Sequence, residues 1–257
     1  MSQHIEAIFL DLGNTLRILL KDDEHQSRAR REITRLLGTD EDPVTFCEKL
    51  DTRYKEYRKW AFENMREAPE AELWTRWLAP EFPAGRIAPL GEELTYQYRR
   101  ANGIRVLVEN GVTVVDTLYH RGYTLGIISN LISTREIPEW LDRDGLAHYF
   151  KSVVLSSVLG IRKPDPEIYH TAARNAGVHP SRCAYVGDNL DRDVTGTRIA
   201  GFGMAVIMID EAELTKSQIT PENRPDAIIN TFDELLALFP GCPRVNTDKL
   251  YNNPTTQ

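Results

Sequence analysis

The feature that most constrains this chain is a recurring one: short apolar runs, each closed by a cluster of turn-forming residues. Residues 5–10 (IEAIFL) end at Asp11, Leu12, Gly13, Asn14 and Thr15. Similar runs lie at 123–129 (YTLGIIS), 152–155 (SVVL), 183–186 (CAYV), 204–207 (MAVI) and 227–229 (AII). Runs this short, followed by breakers, read as buried strands. Helix-period segments at 112–121, 166–176 and 192–200 fall between several of them. Strands that alternate with helices form parallel βαβ units, so the expected fold class is α/β, a Rossmann-like parallel sheet. Ligands of such sheets bind beyond the carboxyl ends of the strands.

Between the first run and the others the pattern changes. Residues 18–105 interleave charged side chains with Phe46, Leu50, Tyr54, Tyr57 and Trp60 at helical spacing,. Pro80, Pro83, Gly85, Pro89 and Gly91 break this segment into at least two helical parts around a loop,. The expected organisation is a catalytic core from residues 1–17 and 106–240, a helical cap from 18–105, and a loose tail at 241–257 rich in Pro, Asn and Thr,. Tyr54, Tyr57, Trp60, Trp74 and Trp77 are expected to pack the core of the insertion itself.

Composition excludes some functions. The net charge is -7 and no Lys or Arg run is long enough to hold a phosphate backbone, so no nucleic-acid partner is expected,. Cys47, Cys183 and Cys242 show no CxxC spacing, which argues against a disulfide framework or a zinc site and fits a reducing cytoplasm,. The run at 5–10 is too short to span a bilayer and has no basic flank, so neither a membrane helix nor a signal segment is expected. A cytoplasmic monomer or homodimer, without a membrane partner, is the expectation.

Polar residues follow the first four runs: Asp11, then Ser129 and Asn130, then Lys163, then Gly187 and Asp188. In a parallel sheet these positions share one edge, so two acids, a hydroxyl and an amine converge on one crevice. Each has a plain alternative when taken alone: a turn-forming Asp, a helix cap at Ser129 and Asn130, a solvated loop at Lys163, an acidic helix start at Asp188 and Asp193.

Together they say more. The segments DLGNTL at 11–16, IISN at 127–130, GIRKPDPEIY at 160–169 and VGDNLDRD at 186–193 resemble, in order, the four motifs of the haloacid dehalogenase superfamily. The resemblance covers nearly the whole core and implies an α-helical cap inserted after the first motif. It also implies a magnesium-dependent hydrolase, most simply a phosphatase of a small phosphorylated molecule that works through an aspartyl-phosphate. In that pattern Asp11 is the nucleophile. Asp11, the Gly13 carbonyl and Asp188 hold Mg2+, with Asp193 orienting ligands or acting through water. Ser129 and the Asn130 amide bind phosphoryl oxygens, while Lys163 neutralises charge between nucleophile and phosphate.

One position departs from the pattern. Phosphatases of the superfamily usually carry a second Asp two residues after the nucleophile, to protonate the leaving alcohol and activate water; here it is Gly13. General acid and base catalysis is worth ~10²–10⁴ in rate, so a substitute is expected from elsewhere, with Glu24 and His25 as candidates. Other branches of the superfamily stay open as alternatives: a phosphonate hydrolase recruiting Lys49, Lys55 or Lys59, or a metal-free haloacid dehalogenase. A low-activity module that binds a phosphorylated ligand is a third. Arg17, just after the first motif, is a candidate contact to an anionic substrate or a hinge cap.

Overall fold

The computed structural model describes residues 4–216 and 218–241. Its strands are β1 Ala7–Leu10, β2 Arg17–Leu20, β3 Ile104–Leu107, β4 Thr124–Ser129, β5 Phe150–Leu155, β6 Cys183–Gly187, β7 Met204–Met208 and β8 Ala227–Ile229. Six of them form one parallel sheet in the order β5-β4-β1-β6-β7-β8. Of the tail expected at 241–257, residues 242–257 lie outside the described residues, and Cys242 with them.

The main helices are α1 Asp23–Leu37, α2 Pro43–Asn64 and α3 Gly91–Ala101, all within the insertion. The core adds α4 Gly111–His120, α5 Glu136–Arg143, α6 Pro166–Ala176 and α7 Thr195–Ile199. Local chemistry sets the long boundaries. Asp22 accepts a hydrogen bond from the His25 amide at 2.8 Å to open α1, and Gly38 closes it in the left-handed region at φ 62°,. Asp42 caps α2 through the Thr45 amide at 2.9 Å, with Pro43 in the first turn,.

Both faces of the sheet are covered, which is why its strands read as continuous apolar runs. On β6, Ala184 and Val186 join a core that includes Val114, Val115 and Leu118 of α4 and Trp140 of α5. Cys183 and Tyr185 alternate to the other face, against Ile168, Tyr169, Ala172 and Ala173 of α6. The insertion has a separate core built on Ile33, Leu37, Phe46, Leu50, Tyr57, Trp74 and Leu94, which Ile132 joins from outside it. Tyr57 and Trp74 are fully buried there, and Trp60 packs on Trp77 with ring centroids 5.5 Å apart.

Residues 18–20 and 104–105 fall in the segment whose pattern predicts helix, and they are strands instead. β2 and β3 pair antiparallel, Arg17 opposite Leu107 and Leu20 opposite Ile104, so the two chain crossings into the insertion run side by side as a ribbon. Pairing satisfies backbone groups that two separate crossings would leave to solvent. Each strand is only four residues long, too short for a periodicity to show. A second attachment lies at the end of α2, where buried Glu67 accepts hydrogen bonds from Tyr57, from Ser156 Oγ at 2.6 Å and from Arg162. Backbone bonds from Glu67 N to the Gly160 carbonyl and from Arg162 N to the Met65 carbonyl, 3.1 and 3.2 Å, bind this seat to the segment just before Lys163.

Candidate active site

Strand order reverses around β1, with β4 on one side and β6 on the other, and Asp11 stands just beyond that point,. Its amide donates to the Val186 carbonyl at 2.8 Å, continuing the ladder by one residue and fixing the backbone from which the carboxylate projects. Asp11 is 4% exposed. Its Oδ1 accepts from the Leu12 amide at 2.7 Å and from Ser129 Oγ at 3.0 Å, and its Oδ2 lies 2.9 Å from Lys163 Nζ. Ser129 closes β4 and Asp188 follows β6, so three separate strands deliver these groups.

Lys163 comes from a loop and must be held. The Asn130 side chain does this from both sides, its Oδ1 accepting from the Lys163 amide at 2.8 Å and its Nδ2 donating to the Lys163 carbonyl at 3.0 Å. The ammonium is buried between Asp11 and Asp193, the latter at 3.1 Å, and donates to the Tyr185 hydroxyl. Tyr185 in turn donates to the Ile128 carbonyl at 3.1 Å. Burial, with Asp11 and Asp193 adding to it, pushes the Tyr185 phenol well above its ordinary value, so it stays a neutral donor.

The turn after β6 is built for close approach. A Cβ on Gly187 would stand 2.4 Å from Asp193 Oδ2, so the absence of a side chain there lets the π-helical turn Leu190–Val194 fold back onto the strand,. Asn14, in the left-handed region at φ 54°, donates to Asp188 Oδ2 at 3.0 Å and ties the first turn to this one.

Oxygens of Asp11, Asp188 and Asp193 lie within 4.8 Å of one another. An all-oxygen set of this size fits a hard divalent cation such as magnesium. Arg192 sits among the same carboxylates: its Nη2 is 3.0 Å from Asp11 Oδ2, 2.9 Å from Asp188 Oδ1 and 2.8 Å from Asp193 Oδ2. Burial, then the neighbouring Asp11, raises the Asp188 carboxyl above its usual range. For Asp193 burial works in the same direction, but Lys163 and Arg192 outweigh it and hold the carboxyl low.

All the residues expected from the motifs therefore meet around Asp11. Other candidates are placed elsewhere. The Arg17 guanidinium is not free to face an anion: Nη1 pairs with Glu136 at 3.1 Å, Nη2 donates to the Arg105 carbonyl at 3.1 Å, and the plane lies 4.5 Å over Trp140. Glu24 pairs with Arg28 on the surface, and His25 is bonded by Arg100, neither of them in the cavity beside Asp11. That cavity, of about 600 Å³, lies between core and insertion. Lys55 lines it; Lys49 and Lys59 pair with Glu41 and Glu63 instead.

Arg192, Tyr185 and Glu136 are absent from the motif-based expectation. Arg192 had a signal, since it stands four residues after Asp188, the spacing that returns a helical residue to the same face. Tyr185 had a weaker one, two residues before the strand end. Glu136 meets its partners only through the fold.

These features have known counterparts. A model of the haloacid dehalogenase-like hydrolase family matches residues 92–207. The chain is 35% identical over 253 residues to a phosphoserine phosphatase of Thermus thermophilus, covering 90% of this chain and 98% of that protein. With a parallel sheet, an inserted helical cap and this relationship together, the chain belongs to the haloacid dehalogenase-like hydrolases. It is also 40% identical over 84 residues to a glyceraldehyde 3-phosphate phosphatase of Methanopyrus kandleri, a match covering 33% of this chain and only 36% of that relative's length. A solved 2-haloacid dehalogenase from Pseudomonas syringae shares the fold, with TM-score 0.65 and 22% identity over 91% of this chain and 97% of that one. Among the described residues no helix is long and apolar enough to cross a membrane.

Proposed function

We propose that this chain is a magnesium-dependent phosphatase of a small phosphorylated metabolite, with Asp11 as nucleophile. The observation that carries the reading is the setting of Asp11, a buried carboxylate at a strand end with Ser129 at 3.0 Å and Lys163 at 2.9 Å. Phosphatase names among the relatives support it further. Residues 18–105 are read as the cap that excludes water from a core of residues 1–17 and 106–240. The free thiols Cys47 and Cys183 support the cytoplasm as its compartment,.

In this mechanism Asp11 attacks phosphorus and water later cleaves the acyl phosphate, which divides one hard displacement into two easier ones. Asp11, Asp188 and the Gly13 carbonyl would hold magnesium, which when bound supplies charge neutralisation to the phosphoryl oxygens. Ser129 Oγ and the Asn130 amide bind those oxygens. Lys163 screens the carboxylate from the incoming phosphate, and Asp193 and Tyr185 keep its ammonium in place. Gly13 provides no proton, so the reading favours esters whose leaving group needs little protonation.

The test is phosphate release from aryl and alkyl phosphates, with and without magnesium, by the wild type and Asp11→Asn. Release that depends on magnesium and vanishes in the variant is expected. Undiminished release by Asp11→Asn, or metal-independent turnover of haloacids instead, would overturn the reading.

A further inference from the structure

One part of the cavity that Asp11 lines has an imbalance of charge. Arg17, Arg99 and Arg105 all converge on one carboxylate, Glu136, at 3.1, 2.7 and 3.8 Å. All three arginines line the cavity, and none is more than about a quarter exposed, at 6, 22 and 17%. Three guanidiniums around one carboxylate leave two positive charges in a poorly solvated place, an arrangement that costs free energy unless an anion joins it. A hinge staple alone would need one arginine. Burial, with Arg99 adding to it, pushes Arg105 down to about 9 even with Glu136 opposing. At Arg99 burial acts the same way but Glu136 outweighs it and raises the guanidinium, so Glu136 serves mainly Arg99 and Arg105 is the cation left short of counter-charge.

The donors in this part of the cavity are also incompletely used. Arg99 donates from Nε to Glu136 at 2.7 Å, and among the described residues its two terminal nitrogens carry no hydrogen bond. Arg105 donates from Nη1 to the Arg99 carbonyl at 2.9 Å, which leaves Nη2. Lys55 and Arg58 reach the same cavity from α2, exposed and with no ion pair among the described residues. Seven cationic and three anionic side chains line the cavity in a chain whose net charge is -7. Glu67 and Asp193, outside the lining, pair with Arg162 and Arg192, so the unmatched positive charge is that of the Glu136 cluster with Lys55 and Arg58. The excess is local and belongs to the pocket.

We propose that Arg99 and Arg105 form a second anion subsite, and that the substrate is a small phosphate ester carrying a further anionic group, a carboxylate or a second phosphate. The inference rests on the phosphatase reading for the identity of the first group. The scissile phosphate lies at Asp11, Ser129 and Lys163; the second anion accepts from the free nitrogens of the arginine pair and completes the charge of the Glu136 cluster. Guanidinium forks match both carboxylate and phosphate, so the arginine pair selects the charge of that group and not its atoms.

The experiment uses the full chain with magnesium and three esters. Glycerol phosphate lacks a second anion, phosphoglycerate has a carboxylate, and glycerol bisphosphate has a second phosphate. The wild type is expected to prefer one or both charged esters in kcat/KM by about tenfold to a hundredfold, mostly through KM, the range of one or two charge-assisted hydrogen bonds. Arg99→Gln and Arg105→Gln should each remove most of that preference, and Arg105→Lys should restore part of it. Which charged ester is preferred separates carboxylate from phosphate. Equal kcat/KM for all three esters in the wild type overturns the proposal. So does a preference that both Gln variants retain in full.

Loss of the fold in those variants, read from thermal melting, leaves the wild-type comparison and Arg105→Lys to decide. If neither these alkyl esters nor an aryl phosphate turns over, the phosphatase reading fails by itself. The subsite is then judged by binding to Asp11→Asn: phosphoglycerate or the bisphosphate must raise its melting temperature more than glycerol phosphate does, and equal shifts reject it.

Discussion

At the scale of single residues, Gly13 and Arg192 decide what this site can do with a proton and with a cation. Gly13 lies outside the positive-φ region, and beyond its chain neighbours no heavy atom stands within 4 Å of where its Cβ would be, so the backbone there accepts a Cβ. Gly13→Asp is therefore expected to raise kcat for alkyl phosphates by about tenfold or more, and to change activated aryl phosphates much less, because only a poor leaving group needs the proton. Equal gains for both ester types would mean that the new carboxylate acts by another route. Arg192 touches Asp11, Asp188 and Asp193, the oxygens that a divalent cation would need. Arg192→Gln removes a competing cation, so magnesium should bind more tightly by titration calorimetry, while the metal-free protein melts at lower temperature because three close carboxylates lose a counter-charge. Weaker magnesium binding would show that Arg192 organises the ligands rather than competing with the ion.

At the scale of elements, Glu136 at the start of α5 holds β2, β3 and α3 together through Arg17, Arg105 and Arg99. Burial works to raise its carboxyl, but Arg99 and Arg105 outweigh burial and hold it at about 2. A carboxyl whose folded pKa lies below its unfolded value, ~4.3, contributes stability above that value and loses it as pH falls through the folded one. Glu136→Gln leaves buried guanidiniums unpaired and should cost ~3–5 kcal/mol near neutral pH. Denaturant titrations should show the gap between wild type and variant closing as pH drops from ~4 toward ~2. A gap independent of pH would assign the loss to packing. The same cluster marks the limit of what the sequence discloses. β1, β4, β6 and their turn residues are legible because strand and site lie within a few residues of each other. Asp11, Ser129, Lys163 and Asp188 could be gathered by order alone. Glu136 and Arg105, 31 residues apart in number and adjacent in space, have no local pattern linking them. The ribbon of β2 and β3 was illegible for the same reason, since its partners are separated by the whole insertion.

At the scale of the molecule, two fields of opposite sign act on an anionic substrate. The chain as a whole is negative, at -7, and repels it, while the cavity, lined by seven cationic and three anionic side chains, attracts it. Distance and screening decide between them. In ~0.1 M salt the Debye length is ~10 Å, so exposed carboxylates far from the cavity mouth are largely screened. Charges lining a cavity of about 600 Å³ are only a few ångströms from a bound ligand, in a medium less polar than water, and are screened much less,. Attraction should therefore win, and added salt should weaken it. With magnesium saturating, kcat/KM for a doubly anionic ester is expected to fall several-fold, by about three to ten, between ~0.05 and ~0.5 M potassium chloride, with kcat nearly constant. An uncharged competitor for the fold's stability, such as urea sensitivity measured over the same salt range, separates steering from unfolding. A rise in kcat/KM with salt would mean that the acidic surface dominates the approach and that the cations of the cavity are neutralised within the protein.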